Sequence, residues 1–369
     1  MVKDKLHFQV VIIGGGPAGL ATSLTLSARG IHHCIVDAKP NATHKAGEAI
    51  PPNAKPLLRQ LGIDQLVNHK NHLPYYGNKA CWGDDELRQE EFISDVHGHG
   101  YLLDRLLFET QLRDLIRSPF CTELWGYKLH SVKSESPGLK LMIESKTDSR
   151  ELECDYAIDA TGRKASLCRQ LGVLKTSLDD QFALTVHVPV TSPLEQQIYI
   201  EATEHGWWYA APFGQEHLNL MFFTRQELIP AKAELTTFLD LQLKRTKFIS
   251  TMTGALNLLP DDISIMPAGT GCLDVPYGDR WLAVGDAAYA YDPISSYGIT
   301  SGLAAGYYAA HALADTLVGK EGGFEVYRYL MENAFQAYLE KLQAHYALEQ
   351  RWPESPYWIP RFANVGNLN

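Results

Sequence analysis

The first forty residues alternate between apolar runs and a glycine-rich turn. Apart from Gln9, residues 8–13 are apolar and rich in β-branched side chains, which is typical of a strand buried on both faces. Three glycines follow directly, then a helical stretch of small and apolar residues, and residues 31–36 form a second apolar run. The pattern therefore predicts a strand, a helix and a second strand in close succession.

Farther along the chain, apolar residues alternate with polar ones in short segments. Such alternation predicts strands of an antiparallel sheet, at residues 182–190, 197–202, 206–213 and 217–224. Residues 233–246 and 324–351 instead carry apolar residues at helical spacing. These elements predict an α/β protein in which an antiparallel sheet is inserted and a helical segment ends the chain.

The glycines after the first strand form the pattern G-x-G-x-x-G, with Gly14, Gly16 and Gly19. Gly14 permits a tight turn, Gly16 lets a pyrophosphate approach the backbone, and Gly19 lets the helix pack closely on the strand. The helix that begins at Pro17 and Ala18 directs its free N–H groups toward the phosphates. This turn predicts a dinucleotide site.

Asp37 ends the second strand, 18 residues after Gly19. A carboxylate at that place can accept hydrogen bonds from both ribose hydroxyls. It would also repel a 2′-phosphate, which excludes NADP as the resident dinucleotide. The order of strand, glycines, helix, strand and acid is far more specific than the glycines alone.

Two later stretches distinguish FAD from NAD. Residues 154–163 (CDYAIDATGR) form a strand followed by a turn at Gly162, and residues 280–306 begin with a strand that ends at Gly285 and Asp286. Asp286 can accept hydrogen bonds from the ribityl hydroxyls of a flavin. The helix that begins near Gly298 and Ile299 can direct its amides at the electron-rich pyrimidine edge of the ring. The dinucleotide is therefore predicted to be FAD.

Nearly the whole chain resembles the FAD-dependent monooxygenases of the p-hydroxybenzoate hydroxylase type. Residues 47–62 (GEAIPPNAKPLLRQLG) and 98–112 (GHGYLLDRLLFETQL) match that family in the same order as the stretches above. The resemblance implies a Rossmann-like, non-covalent FAD-binding domain with an inserted antiparallel-sheet substrate domain and C-terminal helices. Arg105 matches the family's arginine that lies along the cofactor. The cofactor contacts implied by the resemblance also include Glu48, Gly162 and Pro293.

Three stretches resemble the flavin-dependent halogenases and their relatives within this superfamily. These are the G-E-x-I-P sequence at residues 47–51, residues 292–299 (DPISSYGI) and residues 347–361 (ALEQRWPESPYWIPR). Halogenases carry a G-W-x-W-x-I-P segment, in which Tyr209 here replaces the second Trp and Ala211 replaces the Ile. They also use a lysine that captures hypohalous acid, and Lys79 lies near that place in different surroundings.

Other stretches resemble the flavoproteins that mature quinone-cofactor oxidases. They are residues 77–83 (GNKACWG), 97–105 (HGHGYLLDR) and 206–213 (GWWYAAPF). This resemblance implies hydroxylation of a tryptophan in a partner, the precursor polypeptide of a quinone-cofactor oxidase, during tryptophylquinone biogenesis.

The chemistry implied by this family begins with reduced flavin and dioxygen. They form a C4a-hydroperoxide, which hydroxylates an electron-rich aromatic ring held beside it in a site that excludes water. The electrons come from NAD(P)H or from a separate flavin reductase, since the chain has no second G-x-G-x-x-G. Two alternatives stay open: a flavin-dependent halogenase of a small indole or pyrrole, and a non-catalytic flavin-binding assembly factor.

The predicted domains are discontinuous along the chain. Residues 1–75, 100–180 and 265–318 are assigned to the FAD-binding domain. Residues 76–99 and 181–264 are assigned to the antiparallel-sheet substrate domain, which covers the flavin, and residues 319–369 to a C-terminal helical segment.

Two groups of side chains are expected to meet the substrate and the reaction. The predicted substrate contacts are aromatic residues of one strand and residues of the loop at the reactive face of the flavin: Trp207, Tyr209, Pro293, Ser295 and Ser296. The candidate catalytic residues are Tyr297, His97 and Glu48. Each has a structural alternative, since Tyr297 can wall the pocket, His97 can lie in a surface loop, and Glu48 can fix its loop by a hydrogen bond.

The amino-acid composition limits the classes of partner that the protein is expected to bind. The net charge of −10 argues against nucleic acid or an anionic membrane as the main partner. Six cysteines are scattered without a C-x-x-C pair, which favours reduced thiols in a cytoplasmic protein and no metal site. No apolar run approaches the length of a membrane span.

We predict that the purified protein is yellow and releases FAD on boiling. Because the cofactor is held without a covalent bond, denaturation should transfer it to the supernatant, where absorption and chromatography identify it. A colourless supernatant, even after reconstitution with FAD, would contradict the predicted cofactor.

Overall fold

The fold is given by a computed structural model that describes residues 6–42, 47–190, 194–214, 216–253, 256 and 258–359, and it combines α-helices with β-strands. The α-helices are α1 (Pro17–Ala28), α2 (Lys55–Gln60), α3 (Arg105–Leu115), α4 (Ser166–Gln170), α5 (Leu235–Leu243), α6 (Gly298–Leu317) and α7 (Gly323–Ala347). The first eleven strands are β1 (Leu6–Ile13), β2 (His33–Asp37), β3 (Ala49–Ile50), β4 (Leu73–Tyr75), β5 (Gly77–Cys81), β6 (Arg88–Glu91), β7 (Gly100–Leu102), β8 (Cys121–Trp125), β9 (Lys128–Glu135), β10 (Gly138–Glu144) and β11 (Ser149–Asp159). The remaining strands are β12 (Lys175–Ser177), β13 (Gln181–Pro189), β14 (Ile198–Thr203), β15 (Gly206–Phe213), β16 (His217–Arg225), β17 (Ser264–Pro267), β18 (Gly271–Leu273), β19 (Tyr277–Gly278), β20 (Trp281–Ala283) and β21 (Tyr289–Ala290).

An eight-stranded sheet carries the N-terminal strand at its centre. Its order is β19-β20-β11-β1-β2-β8, and β9 and β10 extend it from β11. β1 pairs in parallel with both β11 and β2, so the turns after all three strands open at the same edge. The second half of β1 is fully buried, as expected of a strand covered on both faces.

Two helices pack against each other beside this sheet because small residues line their contact. A Cβ added at Gly306 of α6 would lie 2.3 Å from the carbonyl oxygen of Ala18 in α1. Only glycine permits this approach, which brings the first turn of α1 close to the second and third turns of α6.

A seven-stranded sheet forms the second layer, in the order β17-β13-β16-β15-β14-β5-β6. One side, which we call the inner face, carries Trp207, Tyr209 and Met221 and packs on Tyr75 and Leu102. The other side, the outer face, carries Leu184, Trp208, Leu220 and Phe222. The helix α5 covers this face through Leu239. The strands come from residues 77–91 and 181–267, and the predicted domain boundaries stay a prediction.

The C-terminal helix connects both layers. Tyr327 near the start of α7 donates a hydrogen bond to the Ala283 carbonyl in the first sheet, over 2.7 Å. Beyond α7, Tyr357 and Trp358 are fully buried against the inner face. Glu349 fixes the segment between α7 and Tyr357, because its buried carboxylate accepts the Gly83 N–H over 2.9 Å. The predicted segment 319–369 continues beyond the described residues.

The α/β class with a Rossmann-like sheet, an antiparallel sheet and C-terminal helices is confirmed. None of the described helices combines the length and the apolar character that crossing a bilayer requires. Among the described residues there is also no cluster of His, Cys, Asp and Glu side chains arranged to hold a metal ion.

We predict that Gly306→Ala lowers the free energy of unfolding by about 1–3 kcal/mol, because its methyl group would overlap the Ala18 carbonyl. Gly302→Ala on the same helix is the matched control, since its Cβ would meet Ala18 at an ordinary 3.7 Å. That control should be neutral or stabilising by up to about 1 kcal/mol. Equal midpoints for both variants in urea unfolding would contradict the proposed packing constraint.

Candidate active site

The glycine turn after β1 is shaped by close backbone contacts. Gly14 has φ of 117°, and a Cβ there would lie 2.1 Å from the Ala160 carbonyl oxygen. A Cβ at Gly19 would lie 1.9 Å from the carbonyl oxygen of Gly14. Both positions therefore require glycine, and the turn brings the backbone of β1 against the turn after β11.

Two helices direct uncapped N-termini at this edge of the sheet. α1 follows Gly16 and α6 follows Tyr297, and neither N-cap residue supplies a side-chain hydrogen bond to the first turn. A Cβ at Gly298 would meet no atom within 4 Å, so the space before α6 is open. Free N–H groups and two positive dipole ends suit the phosphates and the electron-rich edge of a bound flavin nucleotide.

Asp286 lies where the two helix ends converge. It follows Gly285, whose Cβ would come within 2.8 Å of the Ala18 side chain in α1. Arg163 places its Nε 3.4 Å from the Asp286 carboxylate. Burial raises the pKa of Asp286, whereas Arg163 and Lys175 act in the opposite direction. The carboxylate is thus placed beside the crevice, as a contact to ribityl hydroxyls requires.

Asp37 joins the end of β2 to the glycine turn. One carboxylate oxygen accepts the Gly15 N–H over 2.6 Å, and the other accepts the Lys39 N–H over 2.7 Å. Each oxygen keeps a second lone pair for a ribose hydroxyl. The ribose contact stays a prediction, while the structural contacts explain why the carboxylate faces the turn.

Arg105 fixes the segment before Glu48 rather than extending freely along the crevice. The guanidinium is buried, donates to the Gly47 carbonyl and pairs with Glu109 one helical turn later. Gly162 lies after β11 with φ of 66° and open space around its Cβ position. Neither residue is excluded from the cofactor by its position, and both assignments stay predictions.

Glu48 is a buried carboxylate held by the inner face of the seven-stranded sheet. Its Oε1 accepts the Tyr209 hydroxyl over 3.0 Å, and its Oε2 accepts the Asn219 amide over 2.8 Å. Burial raises the pKa of Glu48, and the hydrogen bonds and Arg105 lower it to a smaller extent. Burial and then Glu48 itself raise the pKa of Tyr209, so its hydroxyl remains a donor. Glu48 therefore has the structural role given above as its alternative, in which hydrogen bonds of its carboxyl group fix the loop.

Trp207 and Tyr209 share the inner face, but only Tyr209 meets Glu48. The Trp207 ring stacks on Phe223 with 4.0 Å between ring centroids, and its indole N–H donates to the Tyr346 hydroxyl over 3.1 Å. It is completely buried. Trp207 thus lies in the core and does not itself form the wall of an open pocket. Its contact with the substrate stays a prediction.

The loop between β21 and α6 is anchored from behind by Asp292. This buried carboxylate accepts the Ile294 N–H over 2.9 Å, the Tyr346 hydroxyl over 3.0 Å and the Gln181 amide over 3.1 Å. The Asp292 N–H and the Tyr338 hydroxyl oxygen lie 2.6 Å apart. Residues of β13 and α7 therefore fix the position of the loop.

The same loop presents the predicted substrate and catalytic residues at the surface. Pro293, Ser295 and Ser296 are half-buried, and Tyr297 is 40% exposed. The Asn53 amide donates to the Tyr297 hydroxyl over 3.0 Å. Tyr297 thus lies at the mouth of the site, so both of its predicted roles fit its position.

Two buried phenols lie behind this loop. Tyr75 and Tyr209 belong to the inner-face cluster, and Ile294 of the loop packs against the same cluster. Burial raises the pKa of Tyr75, as it does that of Tyr209.

His97 lies in the loop before β7. Its backbone N–H donates to the Asp95 carboxylate over 2.7 Å, and its backbone carbonyl accepts the Lys55 ammonium over 2.6 Å. These contacts fix the loop, and the catalytic assignment of the imidazole stays a prediction.

Lys79 is directed to the outer face of the sheet. β5 pairs in parallel with β14 so that Lys79 lies beside Tyr199, which belongs to the outer-face cluster. Its ammonium pairs with Glu195 over 2.5 Å. Tyr209 and Glu48 lie on the opposite side of the sheet, so the sheet separates Lys79 from the candidate active site.

A groove of about 1000 Å³ lies apart from the crevice. Its walls include Lys175, Asp179 and Arg225, and none of the predicted cofactor or substrate residues lines it. Gln181 and Tyr357, joined by a 2.6 Å hydrogen bond, line the groove, and Gln181 also contacts Asp292 behind the loop. We therefore place no cofactor contact there.

Sequence reasoning missed Asn219, Asp292 and Tyr346. Asn219 stands in an apolar strand, where a lone amide was the available signal. Its Oδ1 is buried without a hydrogen-bond partner in the described part of the chain. Asp159, within the A-T-G stretch, proves structural, because its carboxylate accepts four bonds from residues 161–168.

Residues 7–334 match the FAD binding domain family, so the chain belongs to that family. The crevice fits the cofactor through its glycine turn, its two uncapped helices and its acidic contacts. The protein is thus an FAD-dependent enzyme of the oxidoreductase class, which confirms the predicted superfamily and cofactor.

Among its relatives is LodB of Marinomonas mediterranea, described as an FAD-dependent oxidoreductase. The two are 26% identical over 371 residues, which cover 96% of this chain and 97% of LodB. The myxobacterial chondrochloren halogenase CndH has a TM-score of 0.87 at 19% identity, over 96% of this chain and 86% of that one. The peptidyl tryptophan dihydroxylase QhpG has a TM-score of 0.77 at 20% identity, over 96% of this chain and 78% of that one. The two structures show a shared fold.

We predict that Glu48→Gln gains stability relative to the unsubstituted protein as pH rises. In the unfolded chain the Glu48 carboxyl ionises at about pH 4.3, whereas burial keeps it protonated to higher pH in the folded protein. Between those two pKa values the folded state binds more protons, so its stability falls as pH rises, and glutamine removes that loss.

Urea unfolding at a series of pH values measures this difference. The exposed Glu340→Gln is the matched control and should run parallel to the unsubstituted protein. A Glu48→Gln curve that also runs parallel at every pH would contradict the buried-carboxyl assignment.

Proposed function

We propose that the protein hydroxylates an aromatic ring with FAD and dioxygen, and that the ring belongs to a tryptophan of a partner polypeptide. The observation that carries this proposal is the buried Glu48, Tyr209 and Asn219 set on the inner face, against which Ile294 of the loop before α6 packs. When bound, the flavin supplies activated oxygen for the ring.

The overall reaction consumes dioxygen, two electrons and two protons. One oxygen atom replaces a ring hydrogen as a hydroxyl group, and the other leaves as water. NAD(P)H or a separate flavin reductase supplies the electrons. Above its raised pKa, ionised Glu48 is the group that accepts the ring proton, since its carboxylate is fixed by two donors on the inner face.

Burial gives the inner face the dryness that this reaction needs. Tyr75, Tyr209 and Met221 are each less than a tenth exposed. Water at such a site would divert oxygen to hydrogen peroxide, so an apolar, aromatic enclosure favours transfer to the ring.

The protein relatives support a polypeptide substrate. QhpG is a peptidyl tryptophan dihydroxylase essential for tryptophylquinone cofactor biogenesis, and its structure spans nearly all of this chain. LodB matches this chain along almost its full length. We extend the same class of substrate to this protein.

The halogenase alternative is supported by the fold of CndH but not by the position of Lys79. That lysine lies on the outer face beside Tyr199 and pairs with Glu195. A lysine that delivers hypohalous acid has to reach the substrate, and the sheet stands between them.

We predict oxygen insertion into a tryptophan-containing peptide and indifference to Lys79→Ala. The FAD-loaded protein, a flavin reductase, NADH, dioxygen and the peptide are incubated with chloride or bromide, and the product is measured by mass spectrometry. The tryptophan should gain the mass of one or two oxygen atoms and no halogen. Lys79→Ala and its matched control Glu195→Ala should retain turnover within about twofold.

A halogen atom in the product, together with loss of turnover in Lys79→Ala, would establish the halogenase alternative instead. Unmodified peptide, with reduced flavin reoxidised and the dioxygen recovered only as hydrogen peroxide, would favour the assembly-factor alternative. Either outcome contradicts the proposed hydroxylation.

A further inference from the structure

Three apolar side chains are exposed beside the mouth of the candidate active site. Tyr76 is 50% exposed, Ile93 91% and Val96 93%. We call these three residues the rim. Single exposed apolar residues need no explanation, but a group placed next to a functional cleft marks a contact surface.

The rim is held in place from inside. The Phe92 N–H donates to the Tyr76 carbonyl over 2.8 Å, and the Asp95 N–H donates to the Phe92 carbonyl over 2.9 Å. The Phe92 ring packs edge-on against buried Tyr75 with 5.3 Å between centroids. Phe92 thus anchors the turn, while Ile93 and Val96, which follow it, are displayed to solvent.

A chain of ring contacts connects the rim with the segment that bears Lys55. The Tyr76 ring lies 5.6 Å from that of His99, and His99 lies 5.0 Å from Tyr101. Lys55 places its ammonium 5.2 Å above the Tyr101 ring.

The connection continues to the loop at the mouth. Lys55 and Asn53 are two residues apart at the start of α2, and Asn53 donates to the Tyr297 hydroxyl. The rim and the half-exposed Tyr297 are therefore joined by one chain of contacts. Beneath the rim, buried Tyr75 contacts Phe92 and packs in the same cluster as Tyr209.

The flank of this surface is acidic. Residues 84–95 contain six Asp and Glu residues and a single Arg. Glu90 and Glu91 belong to β6, an edge strand whose four residues are all exposed. Neither forms an ion pair with another described residue, whereas Asp84 and Asp85 are paired with Arg88, Lys247 and Arg351.

Charges on an edge strand also protect it from pairing with other chains. That role accounts for Glu90 and Glu91, but it does not account for exposing Ile93 and Val96 within the same segment. A partner that covers the apolar residues and neutralises the acids accounts for both.

We propose that the rim, with the acidic edge of β6, is the docking surface for the polypeptide substrate. The segment that docks is apolar around its tryptophan and carries Lys or Arg beside that apolar part. Apolar contact with Ile93 and Val96 holds the segment, and attraction to Glu90 and Glu91 orients it so that the tryptophan enters at Tyr297. This proposal rests on the proposed function and names the chemistry of its partner.

Binding of two synthetic peptides tests the docking surface without turnover. Both carry a fluorescent label and the same apolar centre around one tryptophan, and they differ only in having Lys or Glu flanks. Fluorescence anisotropy with the FAD-loaded protein should show at least about tenfold tighter binding of the Lys-flanked peptide, an advantage that shrinks with added salt.

Variants assign the binding to the rim. Ile93→Ser with Val96→Ser should weaken the Lys-flanked peptide at least about tenfold. Val326→Ser with Leu330→Ser, which removes two exposed apolar side chains from α7, is the matched control and should bind normally. Glu90→Lys with Glu91→Lys should reverse the preference between the two peptides.

The outcomes separate this proposal from the proposed function. If the rim variant binds the Lys-flanked peptide as tightly as its control, or if the unsubstituted protein binds neither peptide, the docking surface is wrong. If the rim variant fails to bind but the unsubstituted protein adds no oxygen to bound peptide, the docking surface stands and the hydroxylation is wrong.

Discussion

The buried carboxylate of Asp292 is the contact on which the arrangement of the site depends. A buried charge is costly unless donors surround it, and here the donors come from separate parts of the chain. They are Ile294 in the loop itself, Gln181 in β13 and Tyr346 in α7. Tyr346 also accepts the Trp207 indole N–H from β15, so one hydroxyl relates the flavin-side loop to the inner face. Removing any donor would leave the charge less satisfied, and the loop and the sheet would no longer share a fixed spacing.

The nucleotide-binding half of the site could be predicted from sequence because its constraints are local. Gly14 and Gly19 are needed for contacts made within the turn or with the neighbouring strand end, and such needs leave glycines at fixed spacing. Asp37 ends β2, and Gly298 begins α6, so strand and helix periodicity alone placed them at one edge of a parallel sheet.

The substrate-facing half depends on pairings that sequence spacing does not encode. Tyr346 is 54 residues from Asp292 and 139 from Trp207, and nothing in the helical pattern of α7 distinguishes it from a packing tyrosine. Lys79 illustrates the same limit for a strand. Alternation showed that β5 has two faces, but only its parallel register with β14 showed that Lys79 shares the outer face with Tyr199.

The path of the chain after α7 has a consequence for how the molecule matures on the ribosome. The glycine turn is complete once β1, β2, β8 and β11 of the parallel sheet have emerged, whereas Tyr346 and Tyr357 are synthesised only after α6 and almost all of α7. The nascent chain therefore gains the means to hold a nucleotide long before it gains the means to fix the loop between β21 and α6. A chain that has not yet reached Tyr346 lacks the hydroxyl that joins this loop to the inner face.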